Sequence, residues 1–144
     1  MITSVRKMLE DKTAIYTVSV DASVFEALRI MADKNVGAVL VTDEDELAGI
    51  LSERDYARKV ILHGKSSRDT KVREIMTSDV ICIDPSWTAE QCMALMTEKR
   101  IRHLPVVDHG RLIGVVSIGD VVRAVIDEQL LTIGTLERYI ASGA

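Results

Sequence analysis

Aromatic residues are scarce in this chain of 144 residues, which has one Phe, one Trp and three Tyr. Because 47% of the residues are nonetheless apolar, we expect a core built from Val, Ile, Leu, Met and Ala. The length allows one compact domain or two very small ones. The composition therefore indicates a globular protein whose interior is aliphatic.

Long apolar runs, excess positive charge and cysteine-rich segments are also absent. No apolar run approaches the roughly 18 residues of a membrane helix, and the first residues lack the apolar stretch of a signal peptide, so we expect a cytoplasmic protein without a membrane partner. The formal net charge of -4 argues against broad binding of nucleic acid. Cys82 and Cys92 are too few for a disulfide framework and are expected to be buried, unreactive thiols. The three histidines lack metal-ligand spacing, so no metal site is expected.

An internal repeat dominates what is present. Residues 18–61 align without a gap on residues 83–126, at an offset of 65 residues, and 11 of these 44 positions are identical. The identical pairs include Gly49/Gly114, Ser52/Ser117, Asp55/Asp120 and Arg58/Arg123. The chain is therefore one structural unit used twice.

Each repeat contains the same succession of patterns. A hydroxyl residue followed three positions later by Glu or Gln, as in Ser23–Glu26 and Thr88–Gln91, predicts a capped helix start. Apolar residues at helical spacing follow, then two short strands around a polar turn, then a second amphipathic helix. The predicted strands are 15–18, 36–41 and 47–52 in the first repeat, and 80–83, 101–106 and 112–117 in the second.

We expect an α/β (α+β) fold in which two tandem β-α-β-β-α repeats pack face to face with pseudo-twofold symmetry, because one unit of about 45 residues buries too little apolar surface alone. The first repeat is assigned to residues 5–64 and the second to 65–128, each with a short lead-in helix (5–9 and 72–76). The polar segment 63–70 is interpreted as a linker or surface loop. Residues 129–144 form a tail whose apolar face packs on the repeats or on a second chain: Leu130, Leu131, Ile133, Leu136 and Ile140.

The ordered pattern resembles a repeat of the cystathionine-beta-synthase (CBS) domain family. In the first repeat the resemblance lies in Val-Gly-Ala-Val-Leu-Val-Thr-Asp and Leu-Ala-Gly-Ile-Leu-Ser-Glu-Arg-Asp. In the second it lies in Ile-Arg-His-Leu-Pro-Val-Val-Asp and Arg-Leu-Ile-Gly-Val-Val-Ser-Ile-Gly-Asp. It covers about residues 5–128, and a linked pair of such repeats, a Bateman module, is the family's usual unit.

The resemblance implies an adenosyl ligand, such as AMP, ADP or ATP, in the crevice between the repeats. By residue-by-residue carry-over, Asp55 and Asp120 hold ribose hydroxyls, with Ser52 and Ser117 beside them. The opposite repeat supplies each base pocket, and Lys12 and Thr77 stand where the lead-in segment touches the ligand. The implied pocket of the Asp120 site is Tyr16, Val36, Gly37 and Ala38. The implied pocket of the Asp55 site is Ile81, Ile101, Arg102 and His103.

Elementary chemistry is compatible with these roles. A carboxylate can accept two hydrogen bonds from a cis-diol, and a strand that enters a helix N-terminus leaves backbone N–H groups for a phosphate. Both Ser-x-x-Asp segments equally fit a plain capping box, and the two roles can coexist. Arg102 and His103 replace Gly37 and Ala38, so we expect unequal sites. Arg102 either blocks the Asp55 site or contributes to it, and His103 is either a phosphate contact or a neutral strand residue.

Two functions remain open from the sequence. The first is a regulatory sensor of adenosine nucleotides, a homodimer that passes its ligand state to an unidentified regulated protein. The alternative is a ligand-independent dimerisation or interaction scaffold. No nucleophile lies in a motif with a base, so neither catalytic residues nor a catalytic cofactor are predicted. Among ligands, AMP, ADP, ATP, an NAD-type dinucleotide and S-adenosylmethionine stay open.

Overall fold

The computed structural model describes residues 2–10 and 14–141, which divide into two compact units. The central unit comprises residues 14–80, and the split unit combines residues 2–10 with residues 81–141. The helices are α1 Val5–Met8, α2 Val24–Lys34, α3 Glu53–Lys59, α4 Val72–Ile75, α5 Ala89–Lys99 and α6 Ile118–Ala141, with a 3-10 turn at Ile61–His63. The strands are β1 Thr17–Ser19, β2 Ala38–Asp43, β3 Glu46–Ser52, β4 His103–Asp108 and β5 Arg111–Ser117.

The central unit has a three-stranded sheet in the order β1-β2-β3. Strand β1 runs parallel to β2, with Val18 beside Val41, and β2 pairs with β3 in antiparallel register, with Ala38 opposite Ser52. Helices α2 and α4 contribute Val24, Ala27, Met31, Val72 and Ile75 to a buried cluster with the inward side chains of the sheet. This core contains no buried aromatic residue, as the composition predicts.

The split unit has the same hairpin but a reduced sheet. Strands β4 and β5 pair with His103 opposite Ser117, the register of the first repeat. Where β1 has its counterpart, one parallel bridge joins Ile83 to Val106, so the strand predicted at 80–83 does not form a regular strand. The mixed α+β class and the two repeats are confirmed, and the pseudo-twofold packing stays a prediction.

Both predicted helix caps form, though not equally. The Thr88 hydroxyl accepts from Gln91 N at 3.1 Å, and Gln91 Oε1 accepts from Thr88 N at 3.0 Å, which completes a reciprocal capping box. At α2 the Ser23 hydroxyl accepts from Glu26 N at 3.2 Å. Two further N–H groups of α2 are satisfied by the segment predicted as a linker, since Val24 N and Phe25 N donate to carbonyls at 70 and 67.

Each lead-in helix packs against the core of the other repeat. Helix α1, which precedes the first repeat, belongs to the split unit, and α4, which precedes the second repeat, belongs to the central unit. In the split unit, Val5 N donates to Trp87 O at 2.7 Å, and the Glu128 carboxylate accepts from Thr3 N. In the central unit, Thr77 N and Ile50 O lie 2.9 Å apart. Each compact unit therefore contains residues from both sides of the predicted boundary between residues 64 and 65. The division into 5–64 and 65–128 describes the sequence repeats and stays a prediction for the domains.

Two matched glycines allow these close approaches. A Cβ at Gly49 would lie 2.7 Å from the carbonyl oxygen of Thr77, and a Cβ at Gly114 would lie 2.8 Å from a methyl group of Leu9. Real Cβ atoms do not approach other atoms so closely. The glycine common to both repeats thus leaves space for a lead-in segment in each unit.

The tail predicted beyond the repeats continues the last repeat helix. Helix α6 runs without interruption through 24 residues, Ile118–Ala141. Val121, Ala124 and Glu128 are its buried residues, and its distal half is exposed. In the described residues, no helix, α6 included, combines the length and apolarity that a bilayer-crossing segment requires.

Candidate functional site

The end of β3 and the start of α3 form a tight polar junction in the central unit. The Ser52 hydroxyl accepts from Asp55 N at 3.1 Å, and Asp55 Oδ2 accepts from Ser52 N at 3.0 Å. The Ser52 hydroxyl also lies 3.1 Å from Asp55 Oδ2. This is a complete capping box, so the structural role weighed from the sequence is present.

The second carboxylate oxygen of Asp55 faces two further side chains. Lys59 Nζ lies 3.1 Å from Asp55 Oδ1, and the Thr77 hydroxyl lies 3.4 Å from it. Lys59 also donates to the carbonyl of Ile75 at 3.0 Å, which joins α3 to the lead-in helix α4. The Asp55 side chain keeps 14% exposure. Thr77, Ser52 and Asp55 were each predicted as site residues, and they meet here.

Gly37 and Ala38 lie at the same junction of their own unit. Ala38 is the register partner of Ser52, and Gly37 O accepts from Glu53 N at 3.0 Å. Val36 and Gly37 line a cavity of about 270 Å³ between α2 and the start of α3. Gly37 and Ala38 are half-buried, and neither carries a side chain larger than a methyl group beside the helix start.

The split unit repeats this junction at β5 and α6. Asp120 Oδ2 accepts from Ser117 N at 2.8 Å, and Ser117 Oγ accepts from Asp120 N at 3.2 Å. The guanidinium of Arg123 lies 4.0 Å from Asp120 Oδ1, and the Asp120 side chain is 19% exposed. The geometry of the motif is therefore duplicated, while the charged neighbours differ.

Arg102 and His103 stand beside Ser117 as Gly37 and Ala38 stand beside Ser52. His103 is the register partner of Ser117, and Arg102 O accepts from Ile118 N at 2.8 Å. Arg102 is exposed and His103 half-buried. The sequence asymmetry thus becomes a difference in bulk and charge at two equivalent positions.

An open groove of about 790 Å³ runs between α1 and α6 within the split unit. Asp120 lines it together with two basic residues that the sequence reasoning did not select, Lys7 and Arg123. Leu130 and Leu131 of the tail line its distal part. The identity of Arg58 and Arg123 in the repeat alignment was the signal that could have identified Arg123.

The remaining predicted residues are distributed over both units. Tyr16 O accepts from Leu40 N at 3.0 Å, and Lys34 Nζ lies 5.7 Å from the Tyr16 ring centroid, in the central unit. Ile81 and Ile101 border the core of the split unit. Lys12 lies outside the described residues. The two predicted sites each combine residues of both units, and these combinations stay predictions.

Two stretches of the chain, residues 5–62 and 72–127, match the family model of the CBS domain. The chain belongs to the CBS-domain family. Both matched stretches include the lead-in helix, the hairpin and the Ser-x-x-Asp junction, which are the features that organise each repeat.

Relatives of this CBS-domain chain occur in plants and bacteria. It is 45% identical over 128 residues to the CBS domain-containing protein CBSX3, mitochondrial, of Arabidopsis thaliana, a match that covers 85% of this chain and 62% of the relative's length. A structure with CBS domains from Burkholderia ambifaria MC40-6 superposes with a TM-score of 0.85 at 52% identity, over 88% of this chain and 96% of that one. A hexameric CBS-CP12 protein from bloom-forming cyanobacteria has a TM-score of 0.75 at 26% identity, over 83% and 69%.

CBS domains are regulatory and ligand-binding modules, they commonly bind adenosyl ligands, and proteins that contain them form oligomers.

The two cysteines of this CBS chain are unlike each other. Cys92 is buried in the split-unit core, and burial raises the pKa of its thiol to about 11. Cys82 is exposed, so the expectation that both thiols are buried was wrong for it. Over residues 2–10 and 14–141, no three His, Cys, Asp or Glu side chains converge as metal ligands.

Proposed function

We propose that this CBS pair is a regulatory sensor of adenosine nucleotides without catalytic activity of its own. The observation that carries the proposal is the duplicated junction at which Ser52–Asp55 and Ser117–Asp120 each place a carboxylate at the start of a helix. Both carboxylates keep one oxygen for the helix cap, and both side chains retain some exposure, 14% and 19%.

The capping geometry supports ligand binding because it orients the carboxylate. In each junction the backbone holds Oδ2, which directs Oδ1 away from the cap. An oriented carboxylate oxygen can accept a hydrogen bond from a ribose hydroxyl without losing the rotational freedom that a mobile side chain would lose. The same aspartate side chain can then cap the helix through Oδ2 and bind a ribose hydroxyl through Oδ1.

Basic residues near Asp120 support a phosphorylated ligand. Lys7 and Arg123 line the same groove as Asp120, and Arg102 directly precedes His103, the register partner of Ser117. Charge-assisted hydrogen bonds from such groups to phosphate are about twice as strong as neutral ones. Asp127 and Glu128 line the groove as well, so the positive charge is local rather than broad.

Sensing follows if the nucleotide binds one conformation of the module more tightly than another, because a ligand shifts an equilibrium only by its differential affinity. The regulated protein is a separate partner that binds one of these conformations.

The competing function is a scaffold that uses the module only for association. The contacts of both Asp55 oxygens with Ser52, Thr77 and Lys59 favour that alternative for the first junction. A cytoplasmic location stays a prediction, and the Arabidopsis relative is named as mitochondrial.

Calorimetric titration with AMP, ADP, ATP, an NAD-type dinucleotide and S-adenosylmethionine tests the proposal directly. We expect saturable heat with at least one of these compounds and no turnover of that compound over hours. No heat with any of them at millimolar concentration would leave the scaffold as the function.

A further inference from the structure

Lys59 is the last residue of α3, and its ammonium group contacts two elements of the central unit. Nζ lies 3.1 Å from Asp55 Oδ1, one helical turn earlier, and donates to the carbonyl of Ile75 in the lead-in helix α4 at 3.0 Å. The Lys59 side chain is 43% exposed, and an ion pair at that exposure contributes little by itself. The carbonyl of Ile75 adds an acceptor from a different element, so Nζ is held from two sides.

Both oxygens of Asp55 face donors from the protein. Oδ2 accepts from Ser52 N at 3.0 Å, and the Ser52 hydroxyl lies 3.1 Å from it. Oδ1 faces Lys59 Nζ and, at 3.4 Å, the Thr77 hydroxyl. A carboxylate has about four acceptor positions. A ribose brings two neighbouring hydroxyls, so a ribose that binds Asp55 through both of them has to displace Lys59 or break the helix cap.

Displacement of Lys59 has two costs in the central unit. The Asp55 carboxylate would lose its positively charged neighbour, and the carbonyl of Ile75, a residue with 2% exposure, would lose this hydrogen-bond donor. Loss of a hydrogen bond that involves a charged group corresponds to roughly ten- to a hundredfold in an equilibrium constant. We therefore expect nucleotide binding at the first junction to be weaker by such a factor than it would be without Lys59.

The second junction has a different residue at the matching position. Ala124 stands where the repeat alignment places Lys59, and its side chain is a methyl group. The guanidinium of Arg123 lies 4.0 Å from Asp120 Oδ1, and the Arg123 side chain is 74% exposed. An exposed side chain at this distance can turn towards solvent at little cost. The two junctions therefore share backbone geometry and differ in how firmly a cation is held at the carboxylate.

We propose that Lys59 is a specificity-determining residue that excludes nucleotide from the Asp55 junction, so that one chain binds a single nucleotide, at Asp120. The ammonium group occupies the carboxylate oxygen that a ribose would need, and it ties α3 to α4 in place of a ligand. This inference rests on the proposed nucleotide binding and adds to it the number of ligands per chain and the residue that sets this number.

Calorimetric titration of Lys59→Met tests the inference, because methionine keeps an unbranched side chain and has no positive charge. The titrants are AMP, ADP, ATP, NAD and S-adenosylmethionine. We expect one site per wild-type chain, weakened by Asp120→Ala, and two sites per Lys59→Met chain. In the double variant Lys59→Met/Asp55→Ala the added site should disappear. A purely structural role of Lys59 would not produce an added site that depends on Asp55.

Three further variants separate the charge of Lys59 from its packing. Lys59→Ala reproduces the second repeat and should also give two sites. Lys59→Arg retains a cation that can reach the same acceptors and should keep one site. Lys65→Met removes an exposed lysine charge elsewhere in the central unit and should likewise keep one site. Circular dichroism and urea unfolding establish that each variant is folded.

The other outcomes distinguish this inference from nucleotide binding itself. Two sites on the wild-type chain, a single wild-type site that Asp55→Ala removes, or one site on folded Lys59→Met and Lys59→Ala would overturn the inference and leave nucleotide binding intact. A second site that appears only after Arg102→Ala is added would assign the exclusion to Arg102 and overturn it as well. Heat from Lys59→Met with none from the wild type would support the role of Lys59 and remove Asp120 as a ribose ligand. No heat from either protein would overturn the inference together with the proposed function.

Discussion

Lys59 Nζ lies 3.1 Å from Asp55 Oδ1, and the second repeat has Ala124 at the position that matches Lys59. Helix α3 therefore neutralises the carboxylate at its own start, whereas α6 approaches Asp120 through Arg123 at 4.0 Å. A ribose hydroxyl at Asp55 must compete with Lys59 and Thr77 for the same oxygen. Two junctions with the same backbone geometry are thus chemically unequal.

Asp120→Ala should weaken nucleotide binding more than Asp55→Ala. A hydrogen bond to a charged group contributes about 1.5–3 kcal/mol, so the loss at Asp120 should be roughly ten- to a hundredfold in affinity. Ser117→Ala should cost less, because a neutral hydroxyl makes a weaker bond. Calorimetric titration of each variant measures the difference.

Thr88→Ala is the control for the capping contribution of these variants. Thr88 caps α5 by the same reciprocal geometry but lies outside the proposed site. Its loss should lower the free energy of unfolding by about 1 kcal/mol and leave the affinity unchanged. If folded Asp120→Ala behaves as Thr88→Ala does, Asp120 is a cap and not a ribose ligand.

Nucleotide should raise the unfolding temperature of the wild-type chain. A ligand that binds only the folded state stabilises it by about 2.7 kcal/mol when its free concentration is 100 times the dissociation constant. Thermal melts with and without each compound measure this stabilisation. An equal shift from ribose-free inorganic phosphate would show that the adenosyl part is not recognised.

Gly49→Ala should destabilise the central unit. The added Cβ would meet the backbone oxygen of Thr77 at 2.7 Å and Met76 Sδ at 2.9 Å, so the lead-in segment must move away from β3. Overpacking of this kind costs about 1–3 kcal/mol. Because Thr77 contacts Asp55, we also expect altered affinity at the first junction. Urea unfolding and titration of the same sample measure both effects.

Two other glycines provide graded comparisons. Gly114→Ala meets the end of the Leu9 side chain at 2.8 Å, and a side chain moves more easily than a backbone, so its cost should be smaller. Gly134→Ala meets nothing within 4 Å and lies within α6, where it should stabilise the helix by up to about 1 kcal/mol. The reverse order of these three effects would contradict the packing of the lead-in segments.

One thiol per chain should react with a disulfide reagent in the native protein at pH 8. The Cys82 residue is exposed to solvent, so its thiol is accessible to the reagent. Partial desolvation of the thiol raises its pKa, which lowers the thiolate fraction and slows the reaction. Cys92 is buried, and its pKa of about 11 lies well above pH 8, so little thiolate is present at that pH. Denaturant should release the second thiol. A Cys82→Ser variant that still reacts rapidly when folded would contradict the burial of Cys92.

Local features of this protein were predictable from neighbouring residues. The hydroxyl and acidic or amide pairs at Ser52, Thr88 and Ser117 produced the expected caps, because a capping box involves residues only three positions apart. The hairpins formed within two residues of their predicted bounds, since alternation and polar turns are also local signals. The ordered pattern of both repeats carries the resemblance to the CBS-domain family, and the family model matches both stretches.

Non-local features needed the tertiary structure. The repeat pattern does not say that the segment before one repeat packs on the core of the other, because Val5 and Trp87 meet across a long stretch of chain. The sequence marks Lys59 and Ala124 as different, but only the fold brings Lys59 onto Asp55 and Thr77 onto the same oxygen. The apolar face of α6 beyond the repeat is another such feature, since its exposure depends on contacts with distant parts of the chain. Burial depends on what the rest of the chain covers, so periodicity alone determined an apolar face and the tertiary structure decided which residues of α6 remain uncovered.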